Sequence, residues 1–274
     1  MNINCKGTLI DLSKPKVMGI VNVTPDSFYD GGKHFDEKAI LITVEKMLTE
    51  EATFIDIGGY SSRPGADHIS EEEELNRTVP AVELIIKFFP ETLISIDTFR
   101  SRVARECIVA GAAVVNDISA GVLDKAMLKT IAELQVPYVM MHMKGTPQDM
   151  QKNISYNDIT KEMLFYFSER VAEARKWGIN DLIVDPGFGF AKTLEHNYEL
   201  LSKLDLFAPL NLPVLVGLSR KSMIYKLLGA SADDALNGTT ALNTIALMKE
   251  ARILRVHDVK EAVECVKLIN QLNG

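Results

Sequence analysis

The stretch Leu182-Ile183-Val184-Asp185-Pro186-Gly187-Phe188-Gly189-Phe190-Ala191-Lys192 decides the fold. Leu-Ile-Val has no polar alternation, so it reads as a strand buried on both faces. Asp185 stands where that strand leaves the core. Pro186, Gly187 and Gly189 forbid a helix and let the backbone approach a ligand closely. Phe188 and Phe190 are large rings in a loop, which suits the wall of a pocket. Taken alone, the stretch fits a buried Asp capping the next helix equally well.

Repetition settles the matter. Met18-Gly-Ile-Val-Asn22, Phe54-Ile-Asp56-Ile-Gly58, Leu93-Ile-Ser-Ile-Asp97, Ala113-Val-Val-Asn116-Asp117, Tyr138-Val-Met-Met-His142, Val214-Leu-Val-Gly217 and Ile253-Leu-Arg255-Val-His257 repeat the pattern. Each is a short apolar run ending in Asn, Asp, His, Arg or Gly, and with Asp185 they number eight. They place strands at 17–22, 53–57, 93–97, 113–116, 137–142, 182–185, 213–217 and 253–256. Helical spacing marks 36–51, where Ile40, Val44, Met47 and Leu48 share a face. Ser70, followed by four Glu residues, reads as an N-cap with an acidic first turn. Further helices are expected at 100–110, 122–134, 158–177, 195–204, after Lys221, and at 233–250 and 258–272.

Strand and helix alternate throughout, which argues for a parallel sheet. Eight such units predict an α/β protein, a closed (β/α)8 TIM barrel, with residues 3–12 as a short N-terminal β-ribbon closing its floor. No linker or low-complexity segment divides the chain, so residues 1–274 read as a single barrel domain. The loops at 23–32 and 58–65 are long for βα connections, and long loops tend to be functional.

With 274 residues, 47% of them hydrophobic, the chain can bury a large core. A net charge of -7 argues against nucleic-acid binding. Cys5, Cys107 and Cys265 are scattered without CxxC spacing, which argues against a disulfide framework or a zinc site. No apolar run approaches the ~18–20 residues of a membrane helix, and the N-terminus has no secretory pattern. A soluble, cytoplasmic protein is expected.

In such barrels the chemistry sits at the C-terminal strand ends, so the polar terminators converge on one mouth. Asp97, Asn116 and Asp185 suit a planar heterocycle with amidine-like N–H donors, since a carboxylate accepts two parallel hydrogen bonds; an acid/base pair or a metal site is also compatible with two carboxylates. Lys221 can donate to a ring carbonyl or nitrogen, and Ser222 with its helix N-terminus can offer N–H groups to an anion. Arg255, His257 and Arg63 form a phosphate pocket, with Asn22 offering a neutral oxygen to a Mg²⁺ that bridges phosphate oxygens. Met140 reads as barrel packing that can also line the ring pocket. His142 is equally a satisfied core histidine. A dinucleotide fingerprint, a P-loop, a nucleophile elbow and HExxH are all missing.

The segments Gly19–Phe28, Asp56–Gly65, Ser95–Thr98, Asn116–Ser119, Asp185–Phe190, Gly217–Ser222 and Arg255–His257 together resemble the dihydropteroate synthase family of pterin-binding barrels, in order and over nearly the whole chain. The resemblance implies a transferase of folate biosynthesis that condenses 6-hydroxymethyl-7,8-dihydropterin diphosphate with 4-aminobenzoate, with sulfonamides as competitors. It implies a dihydropterin site at Asp97, Asn116, Asp185 and Lys221, Mg²⁺ on Asn22, and diphosphate on Arg63, Arg255 and His257. The 4-aminobenzoate slot would involve Ser62, Pro64, Phe190, Lys221 and Ser222, with Phe28 folding over it. A homodimer is implied on the same ground. Three positions depart from the commonest family pattern: Tyr60 stands for Glu, Ser62 for Thr and Ala191 for Gly. The nearest alternative is a pterin-dependent methyltransferase, which needs no anion pocket; a non-enzymatic pterin-binding protein is a third.

Overall fold

The structure, a computed structural model, describes residues 1–24, 29–30, 34–61, 68–150 and 154–272. It opens with an antiparallel ribbon, β1 (Asn2–Cys5) and β2 (Thr8–Asp11). After β3 (Lys16–Asn22) comes a small antiparallel pair, β4 (Tyr29–Asp30) and β5 (His34–Phe35). The other barrel strands are β6 (Phe54–Gly58), β7 (Leu93–Asp97), β8 (Val114–Asp117), β9 (Tyr138–Met141), β10 (Leu182–Asp185), β11 (Val214–Val216) and β12 (Ala251–Val256). All neighbours are parallel, and β12 pairs with β3 to close a ring of eight strands.

The helices follow the periodic segments: α1 (Glu37–Thr49), α2 (Glu71–Phe88), α3 (Ser101–Val109), α4 (Met127–Leu134), α5 (Ile159–Lys176), α6 (Leu194–Ser202), α7 (Ser222–Leu228), α8 (Leu236–Met248) and α9 (Val259–Leu272). Their starts obey local chemistry. Asp36 accepts the Ala39 N–H at 3.0 Å, and Ser70 accepts that of Glu73 at 3.1 Å, each satisfying an orphan donor of the first turn. The helix expected over 195–204 stops at Ser202, and a 3-10 segment, Leu204–Leu210, continues the chain. Pro209 lies within that segment and has no N–H to extend an α-helix.

The pleat sorts the core into two bodies. Val17, Ile55, Ile94, Val115, Val184 and Leu254 point outward to pack beneath the helices. Met18, Phe54, Val114, Val139, Ile183 and Ile253 point inward, where Ile3, Cys5 and Leu12 from the ribbon meet them. The ribbon therefore closes the floor. Each fully buried Ile, Leu or Phe there stabilises the fold by about 1.5–3 kcal/mol.

Candidate active site at the barrel mouth

Two to four residues above the inner apolar layer, most of the same strands turn polar. Register aligns Asn22 with Gly58, Gly58 with Asp97, and Asp97 with Asn116 across four adjacent strands. Asp185 ends β10 opposite Met141. Lys221 is the N-cap of α7 and reaches back over the mouth, its Nζ donating to the Phe188 carbonyl and lying 4.9 Å from the centre of the Phe190 ring. A Cβ on Gly217 would lie 3.8 Å from Lys221 Nζ and 4.0 Å from Arg255 Cβ, so both cations come to the same strand end.

At the centre is a residue that the sequence reading passed over. Asp56 is fully buried; its Oδ2 accepts from Arg255 Nε at 2.6 Å and from Asn116 Nδ2 at 3.2 Å. Arg255 also donates through Nη2 to Asp97 Oδ2 at 2.7 Å. One guanidinium thus joins two carboxylates, and an amide joins a third strand to them. The visible signal was an aspartate inside an otherwise apolar strand, Phe54-Ile-Asp56-Ile-Gly58, on the inward face by alternation.

Burial dominates the electrostatics. It raises the Asp97 carboxyl to about 7, against the attraction of Arg255 and helped by repulsion from Asp56. Burial also raises Asp185, opposed by Lys221 and by the Gly187 N–H, which donates to Asp185 Oδ1 at 2.7 Å. Lys221 falls to about 8 through burial, with Asp185 pulling it back up. Arg255 is pushed down by burial, yet Asp56 and Asp97 more than offset this and leave it firmly charged. The mouth is therefore an array of opposed charges in which Asp97 and Lys221 are both shifted toward neutral pH.

The structure brings Asp97, Asn116, Asp185, Lys221 and Arg255 to one mouth. Phe190 is half-buried beside Lys221, and Ser222 opens α7, whose first turn has no side-chain cap. Asn22 ends β3, half-buried. His257 stands one residue past β12, exposed at the rim, its Nδ1 3.1 Å from Ser219 Oγ. Phe28, Ser62, Arg63 and Pro64 lie outside the described residues.

Met140 does not line the mouth. It aligns with Asp117 on the outward face and packs in the helix-side core, fully buried. Its neighbour Met141 takes the inward position, clustered with Ile118 and Phe190. The reason is the two-residue pleat: a shift of one position exchanges the faces.

Two other departures have a physical account. Tyr60 replaces a carboxylate with a phenol that receives a hydrogen bond from Gln148 Nε2 at 2.5 Å and lies 3.3 Å from His68 Nδ1. The Arg100 guanidinium sits 5.5 Å from the centre of the same ring, keeping a cation beside it. Arg100 finds its counter-charge instead in Glu74, a fully buried carboxylate 2.7 Å from Nη1. Only part of the acidic run after Ser70 is thus a solvated first turn. Ala191 has φ +48°, a left-handed conformation in which glycine is less strained.

As for metals, among the described residues no group of three His, Cys, Asp or Glu side chains is placed to enclose one. A half-buried amide oxygen such as that of Asn22 suits Mg²⁺, which commonly takes one or two protein ligands and completes its shell with water and phosphate oxygens.

Residues 18–257 match the model of a family described as pterin binding enzyme. The chain is 46% identical over 271 residues to the dihydropteroate synthase of Escherichia coli (strain K12), covering 98% of this chain and 95% of that protein. Among solved structures, the Yersinia pestis dihydropteroate synthase in complex with a sulfonamide drug superposes with a TM-score of 0.93 at 42% identity, covering 100% of this chain and 99% of that one. The Xanthomonas albilineans dihydropteroate synthase with 4-aminobenzoic acid gives a TM-score of 0.92 at 38% identity, over 100% and 98% of the two chains.

Proposed function

This chain belongs to the pterin-binding enzyme family, with the dihydropteroate synthases, and from that premise we propose how its mouth performs their reaction: 6-hydroxymethyl-7,8-dihydropterin diphosphate and 4-aminobenzoate give 7,8-dihydropteroate and diphosphate. The observation that carries the reading is the meeting of Asp97, Asn116, Asp185 and Lys221 with Arg255 in one space.

Asp185 and Asp97 accept the N–H groups of the pterin's guanidine-like edge, Asn116 pairs with the ring beside them, and Lys221 donates to a ring acceptor. Arg255 spends Nε and Nη2 on Asp56 and Asp97, both through Oδ2. Asp97 Oδ1 is thereby left to the pterin and Arg255 Nη1 to the diphosphate. His257 and Arg63 are assigned to the diphosphate as well. Asn22 would hold Mg²⁺, which would supply positive charge against the departing anion. The reaction is dissociative: the bond between the pterin methylene and the diphosphate oxygen breaks first, and fixed carboxylates favour the cation left on the ring. The neutral arylamine of 4-aminobenzoate then attacks the methylene and loses a proton to solvent. Phe190, Ser222, Ser62, Pro64 and Phe28 are assigned to the 4-aminobenzoate slot, where a sulfonamide competes.

The test mixes the purified chain with both substrates and Mg²⁺ and follows diphosphate and dihydropteroate. Equal release of the two products is expected; no diphosphate release here, with methyl transfer when a methylated tetrahydropterin and a methyl acceptor are supplied instead, would overturn the reading. We also infer a homodimer, supported by exposed Leu227, Leu228, Ile245, Met248, Leu268 and Leu272 on the packed helices α7, α8 and α9. A monomeric mass by light scattering at micromolar concentration would refute it. Among the described residues no helix is long and apolar enough to cross a membrane. The three cysteines are free and buried, in keeping with a reducing, cytoplasmic setting.

A further inference from the structure

Behind the mouth lies a buried lysine to which the mechanism above gives no task. Lys192 is almost wholly enclosed, with 4% of its surface exposed. Its Nζ donates to the carbonyls of Gly187 at 2.8 Å and Phe190 at 2.9 Å, and lies 3.4 Å from His142 Nδ1. An ammonium has three N–H donors and no acceptor, and here three acceptors surround it. With Lys192 charged, its third N–H goes to His142 Nδ1, which accepts, and the ring proton sits on Nε2. Burial, with Lys192 and Lys144 close by, pushes His142 down to about 2 and keeps it a neutral acceptor.

The loop that Lys192 grips is tightly curled. Gly187, Gly189 and Ala191 have φ of +68°, +82° and +48°. A Cβ on Gly187 would lie 2.3 Å from the His142 carbonyl oxygen, so only glycine lets the loop press against the end of β9. This loop touches the mouth at two points. The Gly187 N–H holds Asp185 Oδ1 at 2.7 Å, and the Phe188 carbonyl receives Lys221 Nζ. Gly187 is thus held from both sides, its N–H by Asp185 and its carbonyl by Lys192.

We propose that Lys192 is a positioning residue for pterin recognition: with His142 as its anchor on β9, it straps the 187–190 loop so that Asp185 presents its second oxygen to the ring. Among the described residues, the hydrogen bonds of Lys192 go to the loop and to His142 and none to the space above Asp97 and Arg255, so it acts through Asp185 and not on the substrate. The charged groups facing it are Asp185 from β10, Lys221 from the start of α7 and Lys144 from the turn after β9. Burial has the largest effect and lowers Lys192 to about 7; Asp185 favours its charge and the two lysines oppose it, so the strap is tied electrostatically to the carboxylate it orients.

This inference rests on the pterin-site reading, and a double-mutant cycle separates the two. Lys192→Met, Asp185→Asn and the double variant are compared with the wild type for binding of a non-reactive pterin by calorimetry and for kcat/KM with the pterin diphosphate. Lys192→Met is expected to weaken pterin binding about tenfold in the wild-type background and less than about twofold once Asp185 is Asn, because the residue it acts through is already disabled. Equal losses in both backgrounds, or no loss in either, would overturn the strap. Should Lys192→Met not fold, Lys192→Gln, which keeps two N–H donors, is expected to show the same dependence on Asp185 at smaller amplitude; independence from Asp185 refutes the proposal. A wild-type chain that neither binds the pterin nor releases diphosphate would sink the functional reading instead.

Discussion

At the floor of the barrel, Met18, Phe54, Val114 and Ile183 join the ribbon residues Ile3 and Leu12 in an apolar cluster. Two residues further along those strands, Asp56, Asn116 and Asp185 stand in a mouth crossed by Arg255 and Lys221. The backbone is continuous between the two ends; only the inward side chains change. Burial stabilises the first layer and penalises the charges of the second, which persist because each is paired or hydrogen-bonded. The contrast separates holding the barrel together from working on a ligand.

The floor gives the largest expected effect. Phe54→Ala removes a ring with 1% of its surface exposed and should cost about 3–5 kcal/mol of stability. A urea midpoint reads the loss, while turnover per folded molecule stays within about twofold. If turnover collapsed in the folded fraction, the separation of floor from mouth would fail.

The mouth should behave in the opposite way. Lys221→Ala and Asp185→Asn are each expected to cut kcat/KM at least ~10²-fold, about 2.7 kcal/mol of transition-state binding. The melting temperature should change far less than for Phe54→Ala. Unchanged turnover in both variants would remove these residues from the site.

A pH profile sharpens the same contrast on a scale of tenfold per unit. Asp97 accepts hydrogen bonds through both oxygens only when ionised, and its folded value is raised to about 7 by burial, so kcat/KM for the pterin diphosphate should fall as pH drops below that value. Lys221, lowered to about 8 by burial, loses its charge as pH rises, which gives the alkaline limb. Lys221→Arg should move only the alkaline limb. An acid limb that stayed below pH 5 would remove Asp97 from recognition.

The smallest effect belongs to neither end. Lys46 and Glu50 form a surface pair at 3.8 Å on the outer face of α1. Lys46→Ala should change the unfolding free energy read by urea by no more than about 0.5 kcal/mol and leave kcat/KM unchanged.

The floor and the mouth were also unequally legible in the sequence. Eight apolar runs ending in polar residues were enough to place the strands and to close them into a barrel, because burial on both faces leaves an unbroken signature. Asp97, Asn116, Asp185 and Arg255 could be read as neighbours because strand ends share a rim. Asp56 was missed because it lies one layer below the end of its strand, where only the pleat reveals its direction. Met140 does serve as the barrel packing it reads as, but the place beside the ring pocket falls to Met141, one position on. Lys192 and Glu74 had no periodic signal, since each is buried by partners distant in the chain: His142 for one, Thr98 and Arg100 for the other. Tyr60 read as a lost charge until Gln148 and His68 were seen to share its hydroxyl.

The ribbon has a practical consequence. Its first residue is pinned at the base, where the Leu12 N–H donates to the Met1 carbonyl at 2.8 Å. A chain tethered by that end to a sensor chip would stand upright with its opening toward the flow. Small molecules could then be captured from solution without the support shading the entrance.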